Sequence, residues 1–416
     1  MGDVSGSTRV LAGLAGIRAD LEFFYKDLHA HPELSHREER TAGEVAERLR
    51  AWGYEVHDGI GGTGVAGVMA NGDGPVVLFR ADMDALPVKE RTGLPYASTV
   101  TAVDADGLEQ PVMHACGHDM HVTCALGAAR LMAEARDAWK GTYIALFQPA
   151  EETGDGAETM VRDGLADRIP RPDVCLGQHV FPYPAGTVYT REGKTFASAD
   201  NYRVTVHGHG AHGSRPSAGI DPVVIAAAIV LRLQTIVSRE LDMLTPAVVT
   251  VGSLHAGSSP NVIPDSAVMQ INVRTYDDDT RTHIRRAIER IAEAECVAAR
   301  APRPPDVEHF GDFPLTVNDE ATTRRVAAAF SDFFGDRAHT FGMATASEDF
   351  SHIPRAFDAP FTYWGFGGAD PGLWKSAVEK GAAIPENHSP DFAPAVQPTL
   401  DTGVQAAVVA VTAWLG

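Results

Sequence analysis

Three short runs in the first half of the chain, VVLFRAD (76–82), TYIALFQ (142–148) and VCLGQHV (174–180), are apolar almost to their ends. A strand with one wet face alternates polar and apolar residues, so runs of this kind need cover on both faces. A sheet sandwiched between helices supplies it, and helical segments lie between some of the runs. In SHREERTAGEVAERLRAWGY, Ala42, Val45, Ala46 and Leu49 recur at helical spacing, with Ser35 and Glu38 as a capping box. VTCALGAARLMAEA reads as a second helix, starting near Val122. The expected class is α/β with a mainly parallel sheet.

From about Asn201 the pattern changes. NYRVTVHG, DPVVIAAAIVLRLQTIVSREL, AVVTVGSL, AVMQINVRTY, DDTRTHIRRAIERIAEAE and the stretch near DVEHFG read in order as β-α-β-β-α-β. That is the order of a split βαβ, ferredoxin-like domain. RAPRPPD is a stiff, extended stretch near the point of return. The expected division is an α/β domain from residues 1–198 and 311–416 and an inserted lid or dimerisation domain from 199–310. A chain of 416 residues accommodates both, at roughly 150 residues per domain.

Thirty-five basic against 55 acidic residues give a formal net charge of −20, which repels nucleic acid and anionic lipid. No nucleic-acid or membrane partner is expected. The four cysteines, Cys116, Cys124, Cys175 and Cys296, form no C-x-x-C pair and no disulfide framework, which fits a reduced cytosol. The N-terminus carries Asp3 and no long apolar run, so it reads neither as a signal peptide nor as a membrane span. It also misses the myristoylation pattern, because Gly6 stands where Ser or Thr is required. A soluble, unprocessed protein is expected.

Two glycine-rich stretches fail as cofactor loops. GIGGTG, Gly59 to Gly64, satisfies G-x-G-x-x-G, but VAGVMANGDG follows it as a strand with a turn, whereas the dinucleotide fingerprint needs a helix there. A glycine-rich hairpin is expected. In GTVYTREGKT the spacing of Gly186 and Gly193 is too long for a phosphate loop. Neither G-x-S-x-G nor H-E-x-x-H occurs.

The stretch MHACGHDMH, Met113 to His121, gathers one cysteine, three histidines and an aspartate. A thiolate two residues from an imidazole is a usual start to a metal site, but the stretch alone supplies too few donors. Others stand where the apolar runs end: Asp82 and Asp84 in VVLFRADMDALP, Glu151 and Glu152 in IALFQPAEE, and His179 in CLGQHV. Ligands gather beyond the carboxyl ends of strands in open α/β sheets, so these residues can converge. His388, in PENHSPDFAP, lies in a proline-bounded loop suited to a fixed side chain. Neighbours in extended backbone point to opposite sides, so one of Glu151 and Glu152 can hold a metal while the other faces a water. Metal-assisted hydrolysis needs that division of labour. A bare Glu-Glu pair is more often an exposed acidic loop; the apolar strand that feeds straight into it favours a site.

These segments resemble the M20 metallopeptidase superfamily, in its amidohydrolase branch of bacterial aminoacylases, hippurate hydrolases and plant auxin-conjugate hydrolases. FRADMDALP, MHACGHDMH, QPAEE, GQHV, GAHGSRP, SPNVIPD, ASEDF and NHSPDFAP occur in the family's order over nearly the whole chain. The overall look is closest to bacterial aminoacylases acting on N-acyl amino acids such as N-acyl-glutamine. The resemblance implies that Cys116, His118, Glu152, His179 and His388 hold one or two divalent ions, Zn2+ or Mn2+ with Co2+ as an alternative, and that Cys116 bridges if there are two. It implies that Glu151 is the general base, that Asn261 and Arg274 hold the substrate carboxylate, and that His212 polarises the scissile carbonyl from the other subunit of a homodimer. As bare sequence, His212 reads as an exposed turn residue and Arg274 as part of a solvated sheet face.

Where other branches have a ligand histidine two residues before an aspartate, this chain has Asp82 before Asp84. Asp84 is therefore expected as a supporting carboxylate and Asp82 is not counted as a ligand. His121, His207 and His209 read as helix-start or loop histidines, and Cys124, Cys175 and Cys296 as small core residues. The expected protein is a cytosolic, metal-dependent amidohydrolase that cleaves N-acyl amino acids. The close alternative is a dipeptidase or another specialised deacylase of the superfamily. A non-catalytic metal-binding or dinucleotide-binding protein is the alternative from another class.

Overall fold

The computed structural model describes residues 4–104 and 107–416, and the chain divides into two compact units. Residues 1–3, on which part of the N-terminal reading rests, lie outside the described residues. The first unit comprises Met1–Gly193, Val317–Gly342 and Asp349–Gly416.

Among its described residues, eight strands form the main sheet: β1 (Glu55–Ile60), β2 (Gly64–Asn71), β3 (Val76–Asp82), β4 (Gly141–Gln148), β5 (Val174–Pro184), β6 (Val188–Thr190), β7 (Ala338–Thr340) and β8 (Phe361–Ala369). Their order across the sheet is β1-β2-β4-β3-β5-β8-β6-β7. The central four, β4, β3, β5 and β8, run parallel. The three apolar runs are therefore neighbours, buried on both faces as their composition requires. Val77, Phe79, Tyr143, Phe147 and Leu176 all belong to one core with Leu126 of helix His118–Glu134 and Val404 and Val408 of helix Val396–Leu415. Each such side chain contributes about 1.5–3 kcal/mol on burial, which excludes a register that would turn one face to water. Asp82 stands opposite Gln148 in the β3/β4 register, so the chain leaves both strands at the same edge of the sheet. That edge carries the candidate site.

Two local expectations change. The helix after SHREE runs Glu39–Ala51, with Glu38 as its N-cap residue and no side-chain capping bond. Ser35 and Glu38 form no capping box, because Ser35 Oγ donates to Asp84 and the Glu38 carboxylate accepts from His36, Ala150 and Thr63. The second helix begins at His118 and not near Val122, because Gly117 in the left-handed region (φ 82°) turns the chain into it. GIGGTG is the turn of the antiparallel β1/β2 hairpin, as its flanks predict.

The second unit comprises Lys194–Thr316 and Met343–Glu348. Its sheet has the order Ala247–Ala256, Ser266–Thr275, Ser198–His207, Asp306–Phe313, antiparallel throughout, with helices Pro222–Thr235 and Asp278–Ala298. This is the βαββαβ order expected for a ferredoxin-like fold. The boundaries 199–310 were too narrow: position 199 cuts the first strand and 310 the last, and Met343–Glu348 returns to the unit from far downstream. That return has no composition signal, because it is held by Arg274 Nη1 on Thr345 O (2.7 Å) and Tyr276 Oη on Ala344 O (2.7 Å).

Candidate metal centre and hydrolytic site

The five expected ligands come together in the first unit. Cys116, His118 and His179 present donor atoms within 4.8 Å of one another, and so do Cys116, Glu152 and His388. Cys116 belongs to both groups. Its Sγ lies 3.4 Å from His179 Nε2, and His388 Nε2 lies 3.4 Å from Glu152 Oε1.

A backbone carbonyl and a carboxylate set the histidine tautomers. His179 Nδ1 can only donate to the carbonyl of Val180 (2.7 Å), which leaves the Nε2 lone pair facing Cys116. His118 Nδ1 donates to Asp84 Oδ1 (3.1 Å), so its Nε2 is the free ring nitrogen. Asp84 Oδ2 also accepts from Ser35 Oγ (2.7 Å) and from the Glu152 amide (3.0 Å). Asp84 thus joins one candidate ligand, His118, to the backbone of another, Glu152. His118 Nε2 and Glu152 Oε1 are buried and make no hydrogen bond. Such atoms cost roughly 1–3 kcal/mol each when left unsatisfied. A cation among these donors removes that cost, so the residues present fit a divalent metal.

The electrostatics agree. Burial, then the nearby Glu152, Glu151 and Asp82, pushes the Cys116 thiol well above its ordinary range, so its thiolate needs a cation beside it. Burial alone would lower His118, but Asp82, Asp84 and Glu152 outweigh it and raise its pKa to about 10, as a site of stored negative charge does. His179 is held well below the usual histidine range by burial and then by His121, which keeps it neutral and able to coordinate.

Glu151 and Glu152 do not diverge as extended neighbours would. They lie in a turn in which Ala150 has φ 51° and Gly156 has no room for a Cβ, which would stand 1.8 Å from Pro149 O. Both carboxylates approach His118 Nε2, at 3.8 Å for Glu151 and 3.9 Å for Glu152. What separates them is the second contact: only Glu152 also reaches the group with Cys116 and His388. His388 is likewise left-handed (φ 70°), held by its amide on Ala115 O (2.8 Å) and by Asn387 Nδ2 on Cys116 O (3.1 Å) and Val180 O (3.2 Å). Each non-glycine residue in that region costs about 1–3 kcal/mol, so the surrounding bonds must impose it.

Several supporting residues escaped the sequence reading. His121 does lie at a helix start, buried in the first turn of helix His118–Glu134, but nothing in its sequence context signals the bonds it makes there. The Val180 amide donates to its Nε2 (2.8 Å), and its Nδ1 donates to Asp82 Oδ1 (2.5 Å). Asp82 Oδ2 accepts from Arg80 Nη1 (2.6 Å), and the fully buried Arg80 also bonds Gln148 and Asp349. An arginine inside an otherwise apolar run was the available signal, since a buried charge must be paired.

Of the remaining expected residues, His212 and Asn261 share a short ribbon in the second unit, where His212 pairs with Val262 and the Gly213 amide donates to Asn261 O (2.7 Å). The Ser214 amide donates to His212 Nδ1 (3.1 Å), so the proton sits on Nε2. Arg274 is half-buried on its strand and, among the described residues, pairs with no carboxylate. His207 is paired with Asp306 (2.8 Å), and the four cysteines are free and buried.

Residues 78–384 match the pattern of the peptidase family M20/M25/M40. The chain belongs to the M20 family. It is a hydrolase of amide or peptide bonds. The chain is 37% identical over 352 residues to an N-acetyl-L-cysteine deacetylase of Bacillus subtilis, covering 82% of this chain and 79% of that one. It is 36% identical over 342 residues to a hippurate hydrolase of Campylobacter jejuni, covering 80% and 85%. Among solved structures, Bacillus subtilis YXEP, described as a dinuclear metal-binding peptidase of the M20 family, superposes with a TM-score of 0.74 at 29% identity, over 96% of this chain and 98% of that one.

Proposed function

We propose that this M20 enzyme cleaves the amide bond of an N-acyl amino acid, releasing a carboxylic acid and the free amino acid. The observation that carries the reading is Cys116 shared by two three-donor groups, with the Glu151 carboxylate 3.8 Å from His118 Nε2 of one of them. Cys116, His118 and His179 would hold one divalent ion, and Cys116, Glu152 and His388 would hold a second. This mixture of thiolate, imidazole and carboxylate suits zinc and admits manganese or cobalt. When bound, such ions polarise a carbonyl and bring a water's pKa toward neutrality. Glu151 takes the water's proton and passes it to the leaving amine. Asp84 keeps His118 in the tautomer with Nε2 free.

Arg274 and Asn261 receive the substrate carboxylate, for which a guanidinium fork with no carboxylate partner is well shaped. His212, with its proton on Nε2, donates to the scissile carbonyl oxygen of the partner subunit's substrate. A homodimer through the second unit is supported by its apolar surface: Val224 and Leu231 on one helix face and Val248 and Leu254 on the edge strand are all exposed. Helix Pro222–Glu240 is long and apolar enough to cross a membrane by composition, and the same apolar face serves the dimer in this reading. Four free, buried cysteines support a reducing, cytosolic setting.

The test is to strip the protein with a chelator, restore zinc, manganese or cobalt, and assay N-acyl amino acids beside dipeptides. Metal-dependent turnover of the N-acyl series is the expected result. Hydrolysis confined to dipeptides would replace it with the dipeptidase reading.

A further inference from the structure

The Glu38 carboxylate is fully buried, and no cation pairs with it among the described residues. It accepts three hydrogen bonds instead: Oε1 from the amides of His36 (3.0 Å) and Ala150 (2.8 Å), and Oε2 from Thr63 Oγ1 (2.6 Å). Burial, and then the neighbouring Asp84, raises its pKa to about 7, so the fold holds this group in place against a solvation cost.

Ala150 is the residue that needs an anchor. Its φ of 51° lies in the left-handed region that a Cβ disfavours, and it immediately precedes Glu151. On the other side of Glu151, the Glu152 amide donates to Asp84 Oδ2 (3.0 Å). Glu151 is therefore bracketed by two amides, each tied to a buried carboxylate from a different part of the chain. We propose that Glu38 is a positioning residue for Glu151: its Oε1 locks Ala150 in the left-handed conformation and so sets where the Glu151 carboxylate stands. The kinetic consequence rests on Glu151 being the general base; the anchor itself does not.

Two substitutions separate the anchor from its charge. Glu38→Gln keeps an oxygen for both amides, and its NH2 can donate to Thr63 Oγ1, since a hydroxyl accepts as well as donates. Glu38→Met keeps the length and loses the acceptor. Hydrogen exchange of the Ala150 amide, read in a fragment spanning 148–156, should quicken about tenfold or more in Glu38→Met and stay near wild type in Glu38→Gln. On an N-acyl amino acid, kcat should fall about tenfold or more in Glu38→Met with KM and metal content little changed, because misplacing a catalytic group by an ångström can cost roughly a hundredfold. Glu38→Gln should restore it.

Wild-type exchange and kcat in Glu38→Met would overturn the proposal. Equal damage in the Gln and Met variants would do the same, by tracing the effect to the charge. If Glu38→Met does not accumulate as folded protein, Glu38→Asp takes its place, drawing the acceptor back by one methylene, with both readouts expected to move in the same direction. Full turnover in Glu151→Gln would remove the general-base reading, and the exchange measurement would still decide the anchor.

Discussion

The Val180 amide donates to His121 Nε2 at 2.8 Å, so the ring nitrogen that could have reached a metal is already taken. The ring packs edge-on against His179, with centroids 4.5 Å apart, and its other nitrogen holds Asp82. His121 is therefore expected to brace His179 and not to hold a metal itself. His121→Ala should keep the metal stoichiometry while lowering affinity roughly 10–100-fold, whereas His179→Ala should lose an ion outright. Titration against a chromophoric chelator compares the two, and equal losses of stoichiometry would place His121 among the ligands.

Glu151 and Glu152 stand almost equally far from His118 Nε2, so the distance to that ring does not separate their roles and a variant tests the division that the second contact of Glu152 suggests. Glu151→Gln should retain metal near the wild-type level and lose roughly a hundredfold to ten-thousandfold in kcat, the worth of a general base. Metal analysis beside the kinetics checks this. Loss of metal together with activity would make Glu151 a ligand.

Because Cys116 belongs to both donor groups, Cys116→Ser should weaken both ions and not one. Cys124→Ser is the control, since that thiol is buried against Leu400 O at 3.7 Å, away from the donors. Equal metal loss in the two variants would point to a folding defect.

A hydrogen-bond donor aimed at a developing oxyanion is worth about 3 kcal/mol, so His212→Ala should keep metal and lose roughly a hundredfold in kcat. If the histidine serves the partner's site, mixing His212→Ala with Glu151→Gln under subunit exchange should recover about a quarter of wild-type activity. Half of the dimers are then hybrids with one working site each. No recovery in a mixture shown by native mass spectrometry to contain hybrids would sink the shared-site reading.

His29 is fully buried between Asp119 (2.6 Å) and Glu90 (3.1 Å). Burial lowers its pKa, but Asp119 and Glu90 outweigh that and raise it to about 10 from 6.5. A folded pKa above the unfolded value means that the stabilisation is full below about pH 6.5 and is lost as pH rises through about 10. His29→Gln should cost about 3 kcal/mol at mildly acidic pH, by stranding buried carboxylates. Its gap to wild type in denaturant unfolding should narrow between those two pH values. A gap that stays constant would mean that the ring is neutral throughout.

Much of this protein is legible in its sequence because burial and backbone periodicity are local properties. Nearly continuous apolar runs read as central strands, the flanks of GIGGTG read as a hairpin, and the β-α-β-β-α-β order marked the second unit. The donor types were legible too, since thiol, imidazole and carboxylate stood where those strands end. Only the tertiary structure shows which donor atoms are already taken and which stay open. His121 and His179 look alike as residues; they differ because the Val180 amide caps Nε2 of the first, while the Val180 carbonyl takes Nδ1–H of the second and leaves its Nε2 open. Glu38 resembles a capping residue until Ala150, 112 positions away, is brought beside it. A hydrogen bond is settled by distances of a few tenths of an ångström between groups far apart in the chain, and those distances exist only once the core has closed.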